Sequence, residues 1–322
     1  MRIASLVAVI AAALACPAAA QPPQTRPVID LPSESVTVTA GKPTQEAIKD
    51  YVETRSGQTY VLDRTATWMQ KICPHTEGLG AKYADYITHR IRDIAAAIGA
   101  PLNDDPACRP NIQVVFTTRP QELIDNLRKT DPIYLGYHQT RAEGDALARV
   151  THPFQAWYTT LVESSNRHLA LGYSGGGTID VGKCPVTGGI SIKTREGHDI
   201  SIPCSAPGAA HTPHTARDGQ NSSFFNVLIL AEPDKLVDYE VGALADYIAL
   251  IALTQPSSLD RCAGMLSISN LLAKGCGASA GHITDSDLAY LRALYSLPGG
   301  DYLVTQREYI KRQMAKALEK GG

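Results

Sequence analysis

An excess of charge of one sign is what this chain most plainly lacks. The formal net charge is −2 and 19% of residues are charged, so there is no basic stripe for nucleic acid and no acidic tail. No C-x-x-C occurs, which argues against the cysteines holding a structural metal. No internal repeat is visible, which speaks against a solenoid or a propeller. Beyond the first residues, no segment reads as a membrane span.

What is present starts with a leader. Arg2 supplies a positive start, "IASLVAVIAAALA" is an apolar run too short for a permanent transmembrane helix, and Ala18-Ala19-Ala20 offers a cleavage site before Gln21. Residues 1–20 are therefore expected to be a signal peptide, and the mature chain periplasmic or secreted. Lipidation at Cys16 is the alternative, but Leu14 stands one place too close to that cysteine for a good lipobox. Of the seven cysteines, six remain once the leader is gone, an even number in an oxidising compartment. Connectivity is not readable from sequence, and pairing of neighbours is the simplest expectation: Cys73–Cys108, Cys184–Cys204 and Cys262–Cys276. Each would stabilise by roughly 3 kcal/mol through the loop it closes.

Residues 21–43 are rich in Pro, Gln and Ser and read as a flexible lead-in, with "SVTVTAGKP" a candidate short strand. From 44 to 322 one α+β domain is expected. "TQEAIKDYVET" is a short helix capped by Thr44. "KYADYITHRIRDIAAAIG" places Tyr83, Ile87, Ile91, Ile94, Ala95 and Ile98 at helical spacing and stops at Gly99. Arg90 and Arg92 read as its solvated face. "NIQVVFTT" is a strand, "PQELIDNLRK" a helix opened by Pro120, and "VTHPFQAWYTTLV" a strand interrupted at Pro153. Residues 168–222 change to Gly, Ser, Thr and Pro and read as an insert of irregular hairpins and a long loop. "FFNVLILAEP" restores a strand. "DKLVDYEVGALADYIALIALTQP" is a long helix, apolar nearly all round and so buried, with the lone acid Asp246 at its centre. "CAGMLSISNLLAKGC" is a disulfide-closed helix or loop, and two helices close the chain.

Gly172-Tyr173-Ser174-Gly175-Gly176 matches G-x-S-x-G, the pattern of a serine hydrolase's nucleophile elbow. An elbow needs a strand entering the serine and a helix leaving it. "RHLALGY" supplies the strand, but "GGGTIDVGKCPVTGG" has no helix formers after it. Asp and then His should follow the serine; Asp180, Asp218 and Asp234 are available and His211, His214 and His282 can be nominated, none with a distinguishing setting. The segment is read as a glycine-rich hairpin, with Ser174 kept as a candidate nucleophile. His211 and His214 form H-x-x-H, which lacks an evident third metal ligand and reads as solvated loop histidines. His75, His89, His138, His152 and His168 suggest no cluster.

"ITDSDLAYLRALYS" combines a capping box, Thr284 with Asp287, and an apolar face of Leu288, Leu291, Leu294 and Tyr295. It resembles the closing helix of zincin metallopeptidases of the matrixin type, where Leu-Ser-x-x-Asp-Ile leads into a stripe ending in Leu-Tyr. The upstream order is similar too, with "FFNVLIL" as an edge strand before the buried helix "VGALADYIALIAL". This resemblance implies a zincin-like fold: a mixed sheet packed with helices, a buried central helix and a C-terminal helical region. Zinc hydrolysis needs H-E-x-x-H, two imidazoles one turn apart and a glutamate to activate water. Laid on the central helix, that motif falls on Ala245-Asp246-Tyr247-Ile248-Ala249, with the third ligand at Gln255. A register starting at Tyr239-Glu240 meets Ala243. No H-x-x-x-H exists in the chain, so a metal centre and cofactor are not expected, and Asp246 is retained as an acid without imidazoles.

The chain also resembles a group of exported bacterial proteins with no assigned activity. The similarity runs through "CPHTEGLGAKYADYITHRIRDIAAAIGAP", "CRPNIQVVF", "FQAWY" and "VGALADYIALIALTQ". The resulting expectation is an exported, disulfide-stabilised, non-catalytic zincin-like scaffold that acts by binding. A protein or peptidoglycan-associated partner in the cell envelope is expected, not nucleic acid. The alternatives are a serine hydrolase at Ser174 and an atypical metal-dependent hydrolase. Asp246 and Ser174 are the candidate site residues.

Overall fold

The computed structural model describes residues 43–60, 62–164, 169–171, 189–193, 199–203, 220–277 and 279–320. The pairs and motifs at Cys184, Cys204, Ser174, His211 and His214, and the leader, lie outside them.

Strand β8, Gln220–Ala231, organises the fold. From Ser222 to Ala231 every residue is buried, as a strand must be when both faces are covered. Its alternating side chains serve two cores. Val227, Ile229 and Ala231 enter the main core, while Leu228 and Leu230 enter a smaller one with Ile124, Leu135, Ala148 and Trp157. The resemblance implied an edge strand here, and the structure corrects this. β8 pairs in parallel with β3 (Ile112–Phe116) and antiparallel with β4 (Phe154–Ser164), so it lies inside the sheet. Its first residues also pair in parallel with the two-residue β1, Ala66–Thr67.

The sheet order is β2-β3-β8-β4-β5, with β2 at Pro74–Glu77 and β5 at Leu169–Leu171. β4 and β8 change register between Thr159 and Thr160. The strand expected to be interrupted at Pro153 begins just after it, at Phe154, as proline's missing N–H favours. Within the insert, β6 (Gly189–Lys193) and β7 (Asp199–Pro203) form a separate antiparallel pair. The architecture is mixed α and β, with parallel and antiparallel strands in one sheet.

Helices follow their signals. α1 is Gln45–Arg55, and Thr44 Oγ1 accepts from the Ala47 N–H at 3.1 Å. α2, Ala81–Ala97, buries Ile87, Ile91, Ile94 and Ala95, whereas Tyr83 is half exposed. Gly99, at φ 76°, ends that helix in the left-handed region that glycine reaches without strain. Gly78 is more constrained: at φ 85° a Cβ there would lie 1.9 Å from the Phe116 carbonyl oxygen, so the turn from β2 to α2 requires glycine. α3 (Pro120–Thr130) and α4 (Arg141–Leu147) cover the smaller core side. α5 is Val241–Leu253, shorter than the apolar segment suggested, because Pro233–Lys235 forms a separate 3-10 turn. α6 (Asp285–Tyr295) and α7 (Leu303–Lys320) pack together at the C-terminus.

Among the described residues two disulfides are present. Cys73–Cys108 ties the entry of β2 to the loop before β3, and Cys262–Cys276 closes the loop between α5 and α6. With sequence separations of 35 and 14 between partners, the chain-entropy model assigns them roughly 3–4 kcal/mol each. No helix of the described residues is long and apolar enough to cross a membrane.

Candidate functional site

The central helix decides what chemistry the main core can hold. α5 reads VGALADYIALIAL, and every residue from Ala243 to Leu253 is buried, Asp246 included. A carboxylate 3% exposed needs partners, since an unpaired buried charge costs several kcal/mol. Asp246 has them. Arg90 on α2 donates through Nε to Oδ1 and through Nη2 to Oδ2, the latter at 3.2 Å. The Ile283 backbone N–H donates to Oδ2 at 2.7 Å. The pairing is bidentate, the strongest form of guanidinium–carboxylate contact. Hydrogen bonding to Asp246 raises the Arg90 pKa above the ordinary guanidinium value, outweighing the opposing effect of burial.

This arrangement corrects the reading of Arg90 as part of a solvated helix face. Its side chain is 33% exposed and clamps α2 to α5, while the Ile283 contact adds the lead-in to α6. Both carboxylate oxygens of Asp246 are therefore engaged, Oδ1 by Arg90 and Oδ2 by Arg90 and Ile283. Breaking the clamp from one side should be costly. Arg90→Met is expected to lose about 3 kcal/mol in urea unfolding, because it strands a buried carboxylate. Adding Asp246→Leu should recover most of that loss. A neutral Arg90→Met variant would show that the pair contributes nothing.

At the positions of the two metal-binding imidazoles in the zincin register, Ala245 and Ala249 are both fully buried in the main core. Gln255, at the third position, follows the helix and its Oε1 lacks a hydrogen-bond partner. Glu240, from the alternative register, is the N-cap of α5. Among the described residues no three His, Cys, Asp or Glu side chains converge as a metal cluster. Asp234 and His282, named as possible partners of Ser174, are both exposed.

Two polar clusters were not anticipated. The first centres on Asp287, fully buried, which accepts hydrogen bonds from Tyr51, Ser267, Ile268 and Thr284. The Thr284–Asp287 capping box was legible, but the contact with Tyr51 spans 236 positions and leaves no local signal. The second is at the surface. His152 Nδ1 lies 2.7 Å from Thr151 Oγ1, and its Nε2 lies 3.0 Å from each Asp260 oxygen. This is a hydroxyl–imidazole–carboxylate chain, yet the Thr151 N–H is already donated to Gln155 Oε1. Comparison with protein-family models, with curated proteins and with solved structures gives no match for this chain.

Proposed function

We propose that the protein is an exported, disulfide-stabilised, zincin-like scaffold that acts by binding rather than by catalysis. Its partner is a protein or a peptidoglycan-associated component of the cell envelope. The observation that carries this reading is the central helix itself. Where a metallopeptidase needs two imidazoles and a free carboxylate, α5 has buried Ala245 and Ala249, with Asp246 consumed by Arg90 and Ile283. Support for the scaffold comes from β8 leading, through one 3-10 turn, into a helix buried from Ala243 to Leu253. Support for export comes from two disulfides, which persist in oxidising compartments.

Elemental analysis of the purified mature chain tests the absence of a metal centre. After dialysis zinc should be well below one equivalent, and no peptide cleavage should respond to chelators. One bound zinc per chain, with chelator-sensitive cleavage, would reverse the reading.

A second reading, a serine hydrolase at Ser174, is favoured by one feature: β5 ends at Leu171, directly before the G-x-S-x-G motif. A fluorophosphonate probe separates the two. The scaffold reading expects no labelling, whereas labelling of wild type but not of Ser174→Ala would establish the hydrolase.

A further inference from the structure

α7 runs back along α1. Arg307, near the start of α7, donates to the carbonyl of Ser56 at the end of α1, and the second half of α7 lies against the first turns of α1. Between those two stretches is a cavity of about 450 Å³, inside the range of roughly 300–1,000 Å³ usual for small-ligand sites. Gln45 and Ala315 also line a neighbouring hollow of about 70 Å³. Ile48 and Leu318 give that hollow an apolar wall, with exposed Glu319 beside them.

The larger cavity is lined by four cations, Lys49 of α1 and Lys311, Arg312 and Lys316 of α7, and by two carboxylates, Glu46 and Glu308. Glu308 is engaged with Lys311. Among the described residues Lys49, Arg312 and Lys316 have no ion-pair partner, so three cations face Glu46 alone. Arg312 and Lys316 stand four residues apart on one helix face, a spacing at which like charges destabilise a helix. Lys49 adds a third positive charge from α1. An anion in the cavity relieves this repulsion, and it needs two negative charges to balance the surplus. A phosphoryl dianion supplies them where a single carboxylate does not. Its oxygens also match the paired N–H groups of the Arg312 guanidinium, with the two ammonium groups acting as point charges beside it.

We propose that the cavity between α1 and α7 binds a phosphorylated ligand. Arg312, Lys49 and Lys316 hold its phosphoryl group, and the hollow beside Ile48 and Leu318 takes the carbon atoms attached to it. None of these residues belongs to α5, to the Asp246 clamp or to the Ser174 motif, so the site stands whether the chain is a scaffold or a hydrolase.

Calorimetric titration of the purified mature chain with glycerol 3-phosphate, at low ionic strength, tests this. Binding should saturate at one ligand per chain and be roughly tenfold tighter than that of glycerate, which carries a single charge. Arg312→Gln should weaken it roughly tenfold, and Lys49→Gln and Lys316→Gln about threefold each. Arg119→Gln, which removes an exposed cation outside the cavity, should leave it unchanged. All four changes are at exposed positions, so the variants should keep the wild-type circular dichroism. Sedimentation with vesicles of phosphatidic acid in phosphatidylcholine separates the two sources of a phosphoryl group. Retention that Arg312→Gln abolishes assigns a lipid headgroup, whereas binding of glycerol 3-phosphate without retention assigns a soluble ligand. Binding of neither probe overturns the proposal. Equal weakening by Arg312→Gln and Arg119→Gln also overturns it, because the effect would then belong to surface charge in general.

Discussion

Raising the pH past 10 is expected to unfold the protein cooperatively, with a midpoint near pH 11–12. Five tyrosines cause this. Burial raises the pKa of Tyr51, Tyr158, Tyr247, Tyr290 and Tyr295, with the negative charge of Asp287 adding to the effect at Tyr51. Four of these hydroxyls are engaged. Tyr51 donates to Asp287 at 2.6 Å, Tyr158 to the Ile251 carbonyl at 3.1 Å and Tyr295 to the Leu253 carbonyl at 3.0 Å, while Tyr290 pairs with Ser56.

The sign follows from linkage. A group whose folded pKa lies above its unfolded value contributes in full below the unfolded pKa, near 10 for tyrosine, and the contribution is lost as pH rises toward the folded one. Between pH 10 and about 12 the unfolded chain releases these protons and the folded chain keeps them. Each tyrosine then costs about 1.4 kcal/mol per pH unit, so five together remove roughly 7 kcal/mol by pH 11 and about 10 by pH 11.5. A domain stable by about 5–10 kcal/mol does not outlast that window. Absorbance at 295 nm follows tyrosinate, and far-ultraviolet circular dichroism follows the helices. The buried tyrosines should ionise only as helicity is lost. Full ionisation of all 14 tyrosines with helicity intact would sink this account.

The features legible in the sequence were the local ones. α2 and α6 declare themselves through apolar spacing, and α1 and α6 through their caps, because those signals lie within one or two turns. β2 did not: "PHTE" has one small apolar residue, and it is a strand only because β3 pairs with it from Pro74 to Glu77. α4 carries a full capping box at Thr140 and Glu143, but "RAEGDAL" is too polar and too short to show a period. The central place of β8 had a signal. "FFNVLIL" has almost no polar alternation, as expected for a strand covered on both faces, although the zincin resemblance had suggested an edge.

The candidate site was half legible for the same reason. Asp246 stands out as the lone acid in an apolar helix, and that much the periodicity of α5 reveals. Its partner Arg90 is 156 positions away on a helix with several charges, and nothing near Arg90 separates it from the half-buried Arg92. Pairing of this kind is fixed by how α2 and α5 pack, not by any pattern within either.

Replacing Asp287 by alanine should be the most damaging single change among the residues considered. Its Oδ1 accepts from Tyr51 Oη at 2.6 Å and Ser267 Oγ at 2.5 Å. Its Oδ2 accepts from the Ile268 N–H at 3.0 Å, the Thr284 N–H at 2.9 Å and Thr284 Oγ1 at 2.7 Å. One carboxylate thus ties α1, the Cys262–Cys276 loop and α6 together. Removing it takes the acceptor from two backbone N–H groups and three hydroxyls, those of Tyr51, Ser267 and Ile268 being buried, at about 1–3 kcal/mol for each buried donor that finds no other partner. Even with partial relaxation the loss should reach about 4–5 kcal/mol, near the upper end for point substitutions. In a domain of this size that is a fall in Tm of roughly 10–20 °C. Asp287→Asn should recover little, because its amide N–H2 would face donors at one of the two oxygen positions. Thr284→Ala, which removes the cap but not the acceptor, should cost only about 1 kcal/mol. Thermal unfolding of the three variants orders them. If Asp287→Ala costs no more than Thr284→Ala, Asp287 is an ordinary cap, and the loop is anchored by its disulfide and by buried Asn270, which bonds Ala263 and Met265. The disulfide closes the ends of that loop, whereas Asp287 hydrogen-bonds its middle, at Ser267 and Ile268, to Tyr51 of α1.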